Sequence, residues 1–369
     1  MIDLFAKIRP DSELHPQFLT LRDSKLHAPA RGQLRDLTSR FDEPDGNFVE
    51  QFQTTGFDSR TFEIFLFAMF EESGHAINRN HSRPDFLLER DGISACVEAV
   101  AANPAAIGIQ PYAPFSELES QTDLESYRRH ELAIRLGSPL YSKLKKEYWK
   151  LPHVEGKPIV IAIQDFHAPG SLMMSSSVIG QYLFGQTQHW YHDERGALVI
   201  SHETIDVHRS GLKEIPSGYF SQPHAENISA VLFSNGGTIP KFNRMGLQGA
   251  FWSQDVRMLR SGTCYRHDPN ATMPMPFVYE VGNPEESQET WREGTILFRN
   301  PTALHPLPSE WLGAAAEEDL IGGQSIATFA EPFLPYWSLT TLFEGNTPQA
   351  LMQMECDRLV AALSENFPP

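Results

Sequence analysis

The sequence predicts an α/β fold, a mixed central sheet flanked by helices and extended at both ends. Three observations predict it. Residues 62–70 form an apolar run broken only by Glu63, too apolar on every side for a surface helix and so a buried one. Residues 85–90 and 93–100 are apolar on both faces and flank Asp91-Gly92, a two-residue hairpin turn whose positions tolerate positive φ. A helical stretch over roughly 123–150 then leads to the run Ile-Val-Ile-Ala-Ile-Gln at 159–164. Strand, helix, strand is a crossover unit and implies a parallel pair.

The chain has 369 residues, 41% of them hydrophobic, enough for a large core in one large domain or two ordinary ones. Its net charge of -17 opposes general binding to a phosphate backbone. A nucleic-acid role therefore needs a local basic groove, a metal or a partner. Cys96, Cys264 and Cys356 are too widely spaced for a zinc pattern. Their odd number and the lack of a leader-like start point to a reducing, cytoplasmic setting of bacterial type. No run approaches the ~18 apolar residues of a membrane span, so no membrane partner is expected.

Taken in order, residues 1–50 are polar with scattered Pro and Gly, an N-terminal extension wrapping a core. Asp58 caps a helix over 59–73 and Gly74 ends it. Pro84 opens the first hairpin strand. A connector rich in Pro and Ala covers 101–122, and Gly156-Lys157-Pro158 is a turn. Residues 171–185 read as helix, 197–201 and 204–207 as short strands, 228–233 and 295–298 as strands, and 348–363 as the last helix. This divides the chain into an extension (1–50), an α/β core with insertions (51–310) and a C-terminal helical extension (311–369).

The chemistry lies in three carboxylates in apolar settings: Glu63, Asp85 and Glu98. A buried carboxylate must be protonated, paired or metal-bound. With Asp91-Gly92 as the loop, Arg90 faces Ile93, and the same register puts Asp85 opposite Glu98. That position is a non-hydrogen-bonded pair, with Cα atoms about 4.5 Å apart. Like charges so placed are tolerated if a divalent cation lies between them, and hard oxygen ligands suit magnesium or manganese, Mg2+ or Mn2+. Glu63, from the preceding helix, supplies a third carboxylate or holds a water. The competing reading pairs Glu63 with Arg60 or Arg79 and makes Asp85 a strand start.

Helix-Glu63, Pro84-Asp85 at a hairpin, Glu98-Ala99-Val100 on the next strand, then helix and strand, resembles the PD-(D/E)xK restriction-endonuclease-like superfamily over roughly 57–166. A divergent bacterial branch is implied by Val97 to Pro104, Gly156 to His167 and Asn243-Arg244-Met245-Gly246. The resemblance implies that Asp85 and Glu98 bind metal and that Glu63 assists. The superfamily's lysine falls on Val100. Lys143 and Lys146, three apart on the helix before the 159–164 strand, are the candidates to replace it; the alternative is a solvated basic face with Lys145 and Lys150. Asn103 and Gln110 are placed to contact substrate or to stabilise a loop.

Other features weigh less. His189, His192, His202 and His208 match no zinc spacing and read as surface residues. Asp165-Phe166-His167 sits past a strand's C-terminal end, where α/β ligand sites gather, or caps a loop. Asn235-Gly236-Gly237 reads as a turn. No nucleophile elbow or phosphate-binding loop with Lys-Ser/Thr is present. The expectation is a metal-dependent nuclease, a hydrolase of phosphodiester bonds in DNA more than RNA, in a defence or restriction setting, with an oligomer or activating protein completing the groove. The alternatives are a degenerate nuclease-fold binding module and a hydrolase of small phosphate esters.

Overall fold

The computed structural model describes residues 2–43, 46–103, 126–166, 171–173, 176–283 and 288–367. Among them are eight α-helices: α1 (Pro16–Asp23), α2 (Ala28–Thr38), α3 (Phe48–Gln53), α4 (Phe57–Glu72), α5 (Ala133–Leu144), α6 (Ser177–Phe184), α7 (Ile239–Gln248) and α8 (Gln349–Asn366). The strands are β1 (Ala76–Asn78), β2 (Phe86–Arg90), β3 (Ile93–Ala102), β4 (Ile159–Asp165), β5 (Gln186–His192), β6 (Leu198–Thr204), β7 (Val207–Ser210), β8 (Lys213–Pro216), β9 (Ala230–Ser234), β10 (Val256–Cys264), β11 (Met275–Glu280), β12 (Thr295–Arg299), β13 (Ala316–Ile321), β14 (Gln324–Phe329) and β15 (Pro335–Glu344).

The apolar run at 62–70 lies in α4, and every residue from Phe62 to Phe70 is buried. A helix buried all round needs cover on all sides. The sheet lies under one side of α4, and α2 and α3 close the others. Asp58 is in the first turn rather than at the N-cap, which is Gly56. Gly74, at φ 77°, ends the helix as its position suggests.

An eight-stranded mixed sheet runs in the order β1-β2-β3-β4-β9-β12-β13-β14. The β2/β3 hairpin turns at Asp91 (φ 55°) and Gly92 (φ 74°), and its ladder pairs Arg90 with Ile93 and Phe86 with Val97, the register expected from the turn. β3 and β4 are parallel, as are β4 and β9. Side chains on β4 alternate between two cores. Val160 and Ala162 join α4, while Ile159, Ile161 and Ile163 pack with α5 and α6. That alternation is why the strand reads as continuously apolar: both faces of the sheet are covered. A separate antiparallel sheet, β11-β10-β15, and two hairpins, β5/β6 and β7/β8, complete the described fold.

Residues 1–50 cover the core and also enter it. Leu4, Phe18, Leu21, Leu34 and Phe41 are buried in the same core as α4, because they provide the cover that α4 requires. Residues 311–369 are not a helical extension. β13 and β14 extend the main sheet, and only α8 is helical there. β13 is Ala-Glu-Glu-Asp-Leu-Ile, a charged segment with little apolar signal. Its buried Glu317 accepts from Arg299 at 3.1 Å. Of the stretch read as 123–150, residues 123–125 lie outside the described residues. The rest is a π-helical turn Tyr127–Leu132 followed by α5. Likewise α6 is shorter than the helix expected over 171–185.

Phe65, fully buried in this core, provides a test of the layering. Phe65→Ala is expected to lower unfolding free energy by about 3–5 kcal/mol in urea titration, with an unchanged denaturant slope.

Candidate functional site

Glu63 and Asp85 line one cleft of about 510 Å3, with Arg60, Asn103 and Lys143 on its wall; Glu98 lies behind that wall, bonded to Lys143. α4 presents Glu63, Asp85 stands just before β2, and Glu98 is on β3. Each carboxylate solves its burial differently.

Glu63, 5% exposed, is held between two guanidinium groups. Arg60 Nη1 donates to Oε1 at 2.5 Å and Arg79 Nη2 to Oε2 at 3.1 Å. Arg60 follows from helical spacing, three residues before Glu63. Arg79 arrives after β1, its guanidinium 4.0 Å from the Phe41 ring centroid and 4.6 Å from that of Phe86. The aromatic faces compensate part of its desolvation. With both oxygens engaged, Glu63 is placed as a structural ion pair. The expected role as a metal ligand does not fit this placement.

Asp85 is half-buried at the end of the β2/β3 ladder, whose last pair is Phe86 and Val97. Its Oδ2 accepts the Ala99 backbone N–H at 2.7 Å. Burial pushes its carboxyl well above the usual carboxylate range, and the charges of Glu63 and Glu98 push it further; Lys143 opposes them. The repulsion expected from the register is therefore present.

Glu98, also 5% exposed, is divided between two environments. Oε1 accepts from Lys143 Nζ at 2.5 Å and from Tyr148 Oη at 2.6 Å. Oε2 is buried with no hydrogen-bond partner among the described residues. Burial, then the Glu98 charge, pushes the Tyr148 phenol up, so it stays protonated and donates. An unsatisfied buried carboxylate oxygen costs free energy and marks a vacancy for a donor or a cation.

Lys143, in the last turn of α5, thus reaches the carboxylates, whereas Val100 on the cleft wall offers none of a lysine's charge. Lys146 does not: it is exposed beyond the end of α5 and is not on the cleft wall. The helix stops at Leu144, so the expected three-residue spacing on one face is lost. Gln110 lies outside the described residues, while Asn103 lies on the wall. Tyr148 was not legible in sequence; only the turn Tyr148–Lys150 after α5 brings it under β3. The histidines also scatter. His189 pairs with Glu203 at 2.9 Å, and His208 is buried, bonding the Arg129 carbonyl and Ser217.

The donor set suits a hard divalent ion. Such ions are held by one or two carboxylates with water or substrate completing the shell. Asp85 and Glu98 are carboxylates of that kind. Among the described residues no group of three or more His, Cys, Asp or Glu side chains is arranged to hold a metal, consistent with Glu63 being engaged elsewhere.

Two outcomes follow. Because the folded-state pKa of Asp85 is raised, the folded protein retains a proton that the unfolded chain has lost, and stability falls as pH rises above the ordinary Asp value of about 3.9. In chelator, Asp85→Asn is expected to be neutral near pH 3 and stabilising near pH 7, by urea titration across pH. Glu63→Ala strands the buried Arg79 guanidinium and the half-buried one of Arg60 and is expected to cost about 3–5 kcal/mol by the same measurement.

Compared with known proteins, the chain matches no family model, no curated protein and no solved structure.

Proposed function

We propose that the chain is a divalent-metal-dependent phosphodiester hydrolase acting on nucleic acid, DNA in preference to RNA, with a restriction-endonuclease-like core. The observation that carries this reading is the divided Glu98 carboxylate: one oxygen fixed by Lys143 and Tyr148, the other buried and without a partner among the described residues, with its charge acting on Asp85. Magnesium or manganese, held by Asp85 and Glu98, would supply Lewis-acid stabilisation of charge on a phosphoryl oxygen.

The chain's own residues do the rest. Tyr148 and Lys143 fix Glu98 through Oε1 and leave Oε2 for the ion. Lys143 keeps a positive charge where a scissile phosphate would develop negative charge, the duty of the lysine that Val100 lacks. Arg60 and Asn103 on the wall offer donors to a phosphate backbone. The net charge of -17 weakens long-range attraction to DNA, so an oligomer or partner protein that completes a basic groove belongs to this reading.

One observation favours a second reading, a binding module without catalysis: Glu63 and Glu98 already have cations, at 2.5 Å from Arg60 and 2.5 Å from Lys143. Metal uptake separates the two. Calorimetry is expected to show manganese binding that Glu98→Gln and Asp85→Asn abolish. With manganese, wild type is expected to nick plasmid DNA, both variants to be inactive, and Lys143→Ala to be slower by about 10²-fold. Metal uptake without cleavage of DNA, RNA or small phosphate esters would favour the module; no uptake at all would remove the metal site.

A further inference from the structure

A second cavity, of about 450 Å3, lies against the other side of α4's first turns. Its position is that of α/β ligand sites, past the C-terminal ends of parallel strands at the sheet's middle. Phe166 follows β4 into its wall, and Asn235-Gly236-Gly237 follow β9. Gly237 is required there, since a Cβ would fall 2.3 Å from Gln164 Oε1. The volume is within the range of small-molecule sites.

The wall is mostly apolar, with Phe57, Phe166, Pro335, Trp337 and Leu339 among its residues, but one side is a buried charge network. Lys241, Arg244 and Arg260 face Glu289 and Glu293, all below 10% exposure, so the cluster carries one more positive than negative charge. The carboxylates are well supplied. Arg244 donates to both oxygens of Glu289, at 2.7 and 2.9 Å, and Lys241 lies 2.7 Å from Oε1. Arg260 Nη1 donates to Glu293 at 2.5 Å. Arg244 completes its set on Thr340. Arg260 does not. Its Nε donates to Ser338 and its Nη1 to Glu293 and Tyr279, while Nη2 makes no hydrogen bond among the described residues. Arg260 lines the cavity; its guanidinium, 2% exposed and 5.6–6.0 Å from the Phe277, Tyr279 and Phe333 ring centroids, keeps one nitrogen as a donor for an acceptor. Of the other titratable groups on the wall, Asp58 has its carboxyl pushed up by burial, opposed by the charge of His15, and His27 accepts from the Asn243 side chain at 2.5 Å.

We propose that this cavity binds a small organic monoanion: a flat apolar body against the aromatic and aliphatic wall, with one acidic group bonded to Arg260. A neutral ligand would leave Nη2 unpaired, and a bare inorganic anion would leave the apolar wall wet. The site is separate from the carboxylate cleft and does not depend on the nuclease reading.

Two fluorescent probes differing by one charge provide the test: 8-anilinonaphthalene-1-sulfonate and its neutral counterpart N-phenyl-1-naphthylamine, titrated into the full chain. The anion is expected to bind at one site per chain, at least about tenfold tighter than the neutral probe, the scale of one charge-assisted hydrogen bond. Met173 and Leu339 line the cavity and are 39% and 50% exposed, so Met173→Trp and Leu339→Trp are compatible with folding. Each is expected to weaken both probes by about tenfold or more. Arg260→Met, if folded by circular dichroism, should bring the two affinities together; if it does not fold, the wall variants and the probe ratio still decide. Equal affinities in wild type, or anion binding at several sites untouched by either tryptophan, would overturn the proposal.

Discussion

The burial of α4 on every side is the constraint from which the described architecture follows. A helix with nine consecutive buried residues, Phe62 to Phe70, cannot lie on a surface, so the N-terminal segments must cover what the sheet does not. Burial also makes Glu63 a problem that must be solved locally. Arg60 and Arg79 solve it, and in doing so tie α4 to the segment after β1. Breaking one member of such an arrangement leaves the others charged and dry, which is why buried ion pairs constrain a fold more than they stabilise it. With α4 so fixed, the carboxylate cleft lies along one side of it and the second cavity along the other.

The remaining two carboxylates show how like charges coexist in a covered sheet. Asp85 gains a backbone N–H and is held toward its protonated form, while Glu98 gains an ammonium and a phenol on one oxygen alone. The arrangement is asymmetric, and the asymmetry matters. If both Glu98 oxygens were satisfied, the site would be a closed ion pair like Glu63. Glu98 differs from Glu63 in that its Oε2 has no hydrogen-bond partner among the described residues.

What the sequence revealed, it revealed through local rules. Asp91-Gly92 fixed the hairpin and its register, because two positive-φ positions in a row admit few alternatives. The apolar run marked α4, and the 159–164 run marked a central strand. The three acids were found because charge inside apolar segments is conspicuous. What escaped was set by partners distant in sequence. Which arginine met Glu63 depended on where the turn after β1 landed. Lys143 and Lys146 looked equivalent until α5 ended at Leu144. Tyr148 carried no signal of its own. The Lys241, Arg244, Arg260, Glu289 and Glu293 network joins three segments far apart in sequence. β13 and β14 were hidden for a related reason: their outward positions are polar, and period-two patterning is faint in a strand near a sheet edge.

That last pair of strands has a practical consequence for anyone dividing this protein. β12 lies inside the sheet because β13 lies alongside it, in parallel from Ile296 to Phe298. A fragment stopped after residue 310 would keep every acid of the cleft and yet present a raw row of amide and carbonyl groups along Thr295–Arg299. Bare borders of that kind recruit neighbouring molecules by strand addition. Such a shortened fragment would be prone to self-association for reasons unrelated to its chemistry.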